Sequence, residues 1–81
     1  MRPENFIPLS ADEHRELGRE IRQASTRLHE LERLVASIYG PTNHSAFCFR
    51  KVVEAMERLQ EELDLQAAAD LPGDITEGFY R

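Results

Sequence analysis

The residues best suited to chemistry are His44 and Cys48, which stand four positions apart near the expected start of a helix. One helical turn brings their side chains onto the same face, and imidazole and thiolate are both zinc ligands. A zinc site takes three or four ligands, and the sequence offers no second cysteine or nearby acidic cluster to complete the set. We therefore predict no metal and no cofactor, and keep a metal-binding bundle using His44 and Cys48 as an alternative.

A second candidate is the acidic run of Glu61, Glu62 and Asp64, within an expected helix. Ferritin-like bundles hold metal with carboxylates that project inward and include Glu-x-x-His pairs. Here Leu63 takes the inward position, and the chain contains no Glu-x-x-His pair. The glycines are too scattered for a phosphate loop, and the histidines form no Ser-His-Asp arrangement. We predict that the protein is not an enzyme.

A third candidate is His29. The segment His29-Glu30-Leu31 resembles the H-E-L segment in the dimerisation and phosphoacceptor helices of histidine kinases. Where that family has Arg-Thr-Pro, this chain has Glu32-Arg33-Leu34. Members of the family form an antiparallel hairpin that dimerises into a four-helix bundle. The resemblance implies, as an alternative function, a phosphorelay element with His29 as the phosphoacceptor.

The elements that must position these residues follow from an apolar heptad pattern. Between Leu17 and Ile38, apolar residues recur alternately four and three positions apart, which draws one seam along a helix. A second stripe with the same spacing begins at Phe49 and continues to Leu63. Such a seam needs a partner to cover it, so both stripes predict packed helices.

The ends of the helices are also marked. Ser10 and Glu13 have the spacing of a capping box, whereas Gly40 and Pro41 are typical of a helix end. These signals predict a first helix at about residues 11–39 and a second at about 45–69. A short connector makes the two helices antiparallel neighbours.

The expected fold is all-α: a helical hairpin at residues 10–69, with an N-terminal arm at 1–9 and a C-terminal tail at 70–81. One hairpin covers only one side of each seam, so we predict that two hairpins pair as a homodimeric four-helix bundle. Alternatively, the arm and tail cover a monomeric hairpin, or a different protein does. The predicted interface consists of Leu17, Ile21, Ala24, Leu28, Leu31, Leu34, Val35, Ile38, Phe49, Val52, Val53, Met56, Leu59 and Leu63.

The tail mixes proline, glycine and acidic residues with large apolar ones. Both termini of a hairpin emerge at the same end, so the arm and tail can meet there in a small cluster. The apolar residues available for it are Phe6, Ile7, Leu9, Ile75, Phe79 and Tyr80. The alternative is a flexible tail whose Phe79 and Tyr80 contact a protein partner, with Phe47 at the loop end as a further contact.

Composition narrows the class of protein. A net charge of −5 argues against nucleic-acid binding, and no apolar run approaches the ~20 residues needed to cross a membrane. A single cysteine suits a reducing compartment, and the N-terminal segment is too short and too interrupted by proline for a signal peptide. We therefore predict a small cytoplasmic protein that acts through protein–protein interaction or as a scaffold, by its helical bundle surface.

Overall fold

The computed structural model of the chain describes residues 8–73, 76 and 78–81. It contains two α-helices, α1 (Ala11–Tyr39) and α2 (His44–Asp70), which pack against each other as an antiparallel hairpin. A side-chain contact shows that the helices are antiparallel, since His14 near the start of α1 lies within hydrogen-bond distance of Asp70 at the end of α2. The predicted all-α hairpin is confirmed.

Helix α1 begins and ends at the predicted residues. The Ser10 hydroxyl accepts a hydrogen bond from the Glu13 amide at 3.1 Å, and the Glu13 carboxylate accepts one from the Ser10 amide at 2.8 Å. This reciprocal capping box satisfies two amides that would otherwise lack partners at the helix start. At the other end Gly40 adopts a φ of 95° while its amide donates to the Ala36 carbonyl. A positive φ strains any residue with a Cβ, so glycine suits this position.

Helix α2 is one residue longer at each end than the sequence predicts. Asn43 caps its start, because the Asn43 side chain accepts a hydrogen bond from the Ser45 amide at 2.8 Å. Asparagine is a favoured N-cap residue. The helix ends at Asp70, where the amide of Leu71 still donates to the Ala67 carbonyl.

Most of the buried residues of the two helices have small side chains. The buried residues are His14, Gly18, Ser25, Ala46, Val53 and Ala67. The heptad seam of α1 therefore does not lie at the middle of the hairpin, and its leucines are half-buried or exposed. The larger apolar side chains of the seam lie beside these buried positions.

The described end of the tail, Gly78–Arg81, returns along the hairpin and contacts both helices near the open end. Tyr80 is fully buried there, although it lies outside any helix. Within the described part of the chain, neither helix is long and apolar enough to cross a membrane.

Candidate functional site

The hairpin has two chemically different flanks. Two residues along a helix correspond to a rotation of about 200°, so residues i and i+2 lie on nearly opposite sides. In four such pairs, the first residue is polar and contacts the tail or the other helix, and the second is apolar. The pairs are Arg22 and Ala24, His29 and Leu31, Arg50 and Val52, and Glu57 and Leu59. We call the side with the first members the polar flank and the opposite side the apolar flank.

Cross-helix ion pairs cover the polar flank toward the loop end. His29 Nε2 lies 3.3 Å from Glu57 Oε2, and Arg50 Nε lies 3.5 Å from Glu32 Oε2. His29 and Glu32 are only about 60° apart around α1, and Arg50 and Glu57 about 20° apart around α2, so all four residues lie on the same side of the hairpin. Their apolar counterparts two positions later must therefore share the opposite side.

The apolar flank carries most of the interface predicted from sequence. Its largest exposed side chains are Leu34 (52% exposed), Ile38 (62%), Val52 (47%) and Leu59 (42%). Ala24 is also exposed, and of the predicted interface residues only Val53 is buried inside the hairpin. The half-buried remainder comprises Leu17, Ile21, Leu28, Leu31, Val35, Phe49, Met56 and Leu63. Single exposed leucines are common on protein surfaces, whereas a continuous apolar row marks an interaction site.

A chain of buried hydrogen bonds fixes the tail on the polar flank. His14 is fully buried, with Nδ1 2.6 Å from the Tyr80 phenol oxygen and Nε2 2.9 Å from Asp70 Oδ2. A carboxylate can only accept, so His14 Nε2 carries the proton and donates it to Asp70. In the tautomer with a single proton on Nε2, Nδ1 accepts from the Tyr80 hydroxyl, and the order of donation is Tyr80 to His14 to Asp70.

The environment of these groups changes two pKa values. The hydrogen bond from His14 lowers the pKa of Asp70, against the effect of burial, and donors on Gln66 and Leu9 act in the same direction as His14. Burial raises the pKa of the Tyr80 phenol, with further contributions from the negative charges of Asp64 and Asp70. The cluster therefore favours an ionised Asp70 beside a neutral, hydrogen-bonded phenol.

Side chains of both helices also bind the main chain of the tail. Arg22 Nη1 donates to the Phe79 carbonyl, and Gln60 Nε2 donates to the Tyr80 carbonyl at 2.7 Å. Asp64 Oδ2 accepts a hydrogen bond from Arg81 Nε at 2.7 Å.

The tail also makes close apolar and aromatic contacts. The Phe79 ring stacks on the His14 ring with centroids 6.3 Å apart, and the Arg15 guanidinium lies 5.7 Å from the Phe79 centroid. A Cβ built on Gly18 would lie 2.7 Å from the Phe79 carbonyl carbon and closer still to its oxygen. The absence of a side chain at Gly18 thus makes room for the tail.

Of the two alternatives from sequence for the tail, the described residues show docking, but Phe79 and Tyr80 dock against α1 and not against the arm. The Leu9 amide lies 3.3 Å from Asp70 Oδ2, and Phe79 and Tyr80 pack on His14. Phe6, Ile7 and Ile75 lie outside the described residues. The suggestion that Tyr80 contacts a partner needs correction, because its side chain is buried within its own chain, and Phe79 is half-buried. The packing energy of a phenol with a hydrogen-bond partner favours docking over exposure.

The remaining candidate sites are on the surface. Phe47 is 53% exposed at the loop end, where it stacks with His44 and lies 5.2 Å from Lys51 Nζ. Cys48 is an exposed free cysteine. Among residues 8–73, 76 and 78–81, no three His, Cys, Asp or Glu side chains gather as metal ligands, so His44 and Cys48 have no third ligand there.

His29 has a hydrogen-bond partner on each ring nitrogen. Its Nδ1 lies 2.8 Å from the Ser25 carbonyl oxygen, and its Nε2 faces Glu57. The bond to Ser25, followed by Glu57 and Glu32, raises the pKa of His29, although burial opposes this. A raised pKa favours the protonated ring, which has no free lone pair for accepting a phosphoryl group.

Sequence reasoning missed the tail-binding residues His14, Arg22, Gln60, Asp64 and Asp70. Two signals were present. His14 lies one heptad before Ile21, at an a position, where a polar residue indicates a buried polar partner. Gly18 lies inside a helical pattern, where an isolated glycine often marks a close approach of another part of the chain.

The chain matches no protein-family model, no curated protein and no solved structure.

Proposed function

We propose that this protein is a non-enzymatic interaction or scaffold protein that works by pairing through its apolar flank. Two hairpins related by a two-fold axis bring these flanks together as a homodimeric four-helix bundle. The observation that supports the proposal is the row of exposed apolar side chains that both helices contribute to the apolar flank, represented by Leu34, Ile38, Val52 and Leu59. The opposite flank is occupied by the tail and by cross-helix ion pairs.

Solvent exposure gives the pairing its driving force. Burying a whole leucine, isoleucine or valine side chain yields about 1.5–3 kcal/mol, so covering the exposed half of one yields about 1 kcal/mol. A two-fold interface buries the four residues of both chains, which gives eight such contributions. The sum is of the same order as the cost of associating two chains, which indicates a reversible dimer whose affinity is sensitive to single substitutions.

The single cysteine supports the cytoplasm as the place of action. Cys48 is exposed, and an exposed thiol stays unpaired most readily in a reducing compartment. Its position on the surface of α2 leaves it outside the contact between the two helices.

The proposal is tested by light scattering across a concentration series. We expect a dimer of the full chain, and at least a tenfold weaker dimer for the double variant Leu34→Gln, Leu59→Gln, because glutamine keeps the length and helix propensity but loses the apolar surface.

The matched control is Leu65→Gln. Leu65 is 65% exposed on the same helix but lies about 120° around it from Leu59. This variant should dimerise like the unmodified chain. A full chain that is monomeric at every concentration, or equal weakening by Leu65→Gln, would contradict the proposal.

A further inference from the structure

The contacts made by the segment Gly78–Arg81 resemble those of a peptide bound to a recognition site. Its two successive carbonyls, of Phe79 and Tyr80, accept hydrogen bonds from side chains of different helices, Arg22 of α1 and Gln60 of α2. Peptide-recognition sites commonly obtain affinity from main-chain hydrogen bonds and specificity from side-chain pockets. Here the surface of α1 and α2 against which Gly78–Arg81 lies, which we call the groove, supplies both the main-chain hydrogen bonds and the side-chain pocket.

The pocket for Tyr80 determines the chemistry that the groove accepts. His14 is fully buried, with Asp70 at its Nε2 and the Tyr80 phenol oxygen 2.6 Å from its Nδ1, so the phenol is the hydrogen-bond partner of that nitrogen. A phenylalanine in this pocket would leave that buried nitrogen without a hydrogen-bond partner. The energetic cost of the unpaired nitrogen makes the pocket strongly prefer tyrosine to phenylalanine. The groove thus selects a tyrosine.

The positions on either side of the tyrosine add further requirements. Arg81, 69% exposed in its side chain, pairs with Asp64 at the rim, so the residue after tyrosine is basic. Phe79 stacks on His14 and meets the Arg15 guanidinium, so the residue before tyrosine is aromatic. Gly18 leaves room for the main chain at that residue.

The geometry points to a peptide-binding groove for segments of the form aromatic–tyrosine–arginine, filled by the chain's own tail and able to accept the same segment from a protein partner. Seven residues, 71–77, join the end of α2 to Gly78. Because the tail belongs to the same chain, it competes as an intramolecular ligand with any segment delivered by another molecule. The groove lies on the polar flank and is independent of the proposed dimer interface.

The test measures binding of a fluorescently labelled peptide with the sequence of residues 76–81, by fluorescence anisotropy. The receptor is the full chain with Tyr80→Ala, whose own tail has lost its anchoring phenol. We expect this variant to bind the peptide at least tenfold more tightly than the unmodified chain does, because the competing tail is weakened. A peptide with phenylalanine in place of its tyrosine should bind at least tenfold more weakly.

A second variant separates specific binding from adhesion to apolar surface. Adding Gly18→Ala to Tyr80→Ala places a methyl group where the Phe79 carbonyl lies, and alanine favours the helix. Peptide binding should then be lost while helicity, measured by circular dichroism, is retained. Equal binding with and without Gly18→Ala would overturn the proposal.

The unmodified chain provides a test that does not depend on the folding of any variant. Unlabelled peptide, added to the ¹⁵N-labelled chain at several millimolar, should shift the amide resonances of Phe79–Arg81 toward those of a free tail. Resonances that stay at their docked positions would overturn the proposal. Dimerisation is read separately by light scattering, so failure of this groove and failure of the apolar flank give different results.

Discussion

At the scale of single residues, His14 is the group on which the tail depends. It is fully buried, and both of its ring nitrogens have partners, Tyr80 on one side and Asp70 on the other. The hydrogen bonds to these partners also compensate for the burial of His14, because a buried imidazole without hydrogen bonds would lower the free energy of unfolding by about 1–3 kcal/mol. Removing the side chain of Tyr80, His14 or Asp70 therefore leaves a polar atom of another of these residues without its hydrogen-bond partner.

Alkaline titration of Tyr80 tests this environment. The chain has two tyrosines, so in the variant Tyr39→Phe the absorbance at 295 nm reports Tyr80 alone. Burial and nearby Asp64 and Asp70 raise the Tyr80 pKa, so the midpoint should lie above 10 in the folded chain. In denaturant the same variant should return to the ordinary tyrosine value of ~10. A folded midpoint at or below that of the denatured chain would contradict the buried position.

The sign of the effect on stability follows from the raised pKa. The neutral phenol is favoured in the folded state, so the contribution of Tyr80 to the free energy of unfolding is fully present below pH ~10. It is lost as the pH rises through the higher folded pKa. At the acid end, the lowered pKa of Asp70 acts in the opposite sense, and its contribution is lost as the pH falls below ~4.

At the scale of secondary-structure elements, α1 has two chemically different faces. Its heptad seam lies toward the apolar flank, while His14, Gly18 and Arg22 present the polar flank to the tail. A glycine inside a helix costs about 1 kcal/mol relative to alanine, so Gly18 is unfavourable for the helix by itself. Its place is explained by the main chain of Phe79, which leaves no room for a Cβ.

The single variant Gly18→Ala tests this explanation. We expect the helix content to be kept, because alanine is the better helix former, while the tail is displaced by the added methyl group. The amide resonances of Phe79–Arg81 should then move toward those of a free tail in NMR spectra of the ¹⁵N-labelled chain. The control is Gln23→Ala, an exposed position on α1, which should leave the tail resonances unchanged. Unaltered tail resonances in Gly18→Ala would show that the tail does not lie against this position.

At the scale of the whole molecule, the hairpin is covered on one side and open on the other. The tail and the ion pairs between α1 and α2 occupy the polar flank, and the apolar flank has no covering segment among the described residues. We therefore expect association and tail docking to be separate events on separate surfaces.

Removing the tail tests that separation. A chain ending at Asp70 should dimerise within a few-fold of the affinity of the full chain, since the tail lies on the flank opposite the proposed interface. Light scattering of both chains across a concentration series provides the measurement. A full chain that is monomeric and associates only after truncation would show instead that the tail blocks association.

Much of the local architecture was readable from the sequence. Ser10, Glu13 and Gly40 mark the ends of α1, and the residues that decide them are neighbours along the chain. The short connector then makes the helices antiparallel without any knowledge of their packing. For these features, a few residues at known spacing contain all the relevant physical chemistry.

The tertiary structure alone decided how each helix is rotated and what the tail contacts. The heptad pattern predicts a seam, but the buried positions of α2 include small residues such as Ala46 and Ala67, whereas the seam residue Ile38 stays exposed. The tail had two open alternatives, and docking depends on Tyr80, His14 and Asp70 meeting across more than fifty residues of sequence. Such contacts arise only when both helices and the tail are in place, because no local spacing specifies which distant donor meets which acceptor.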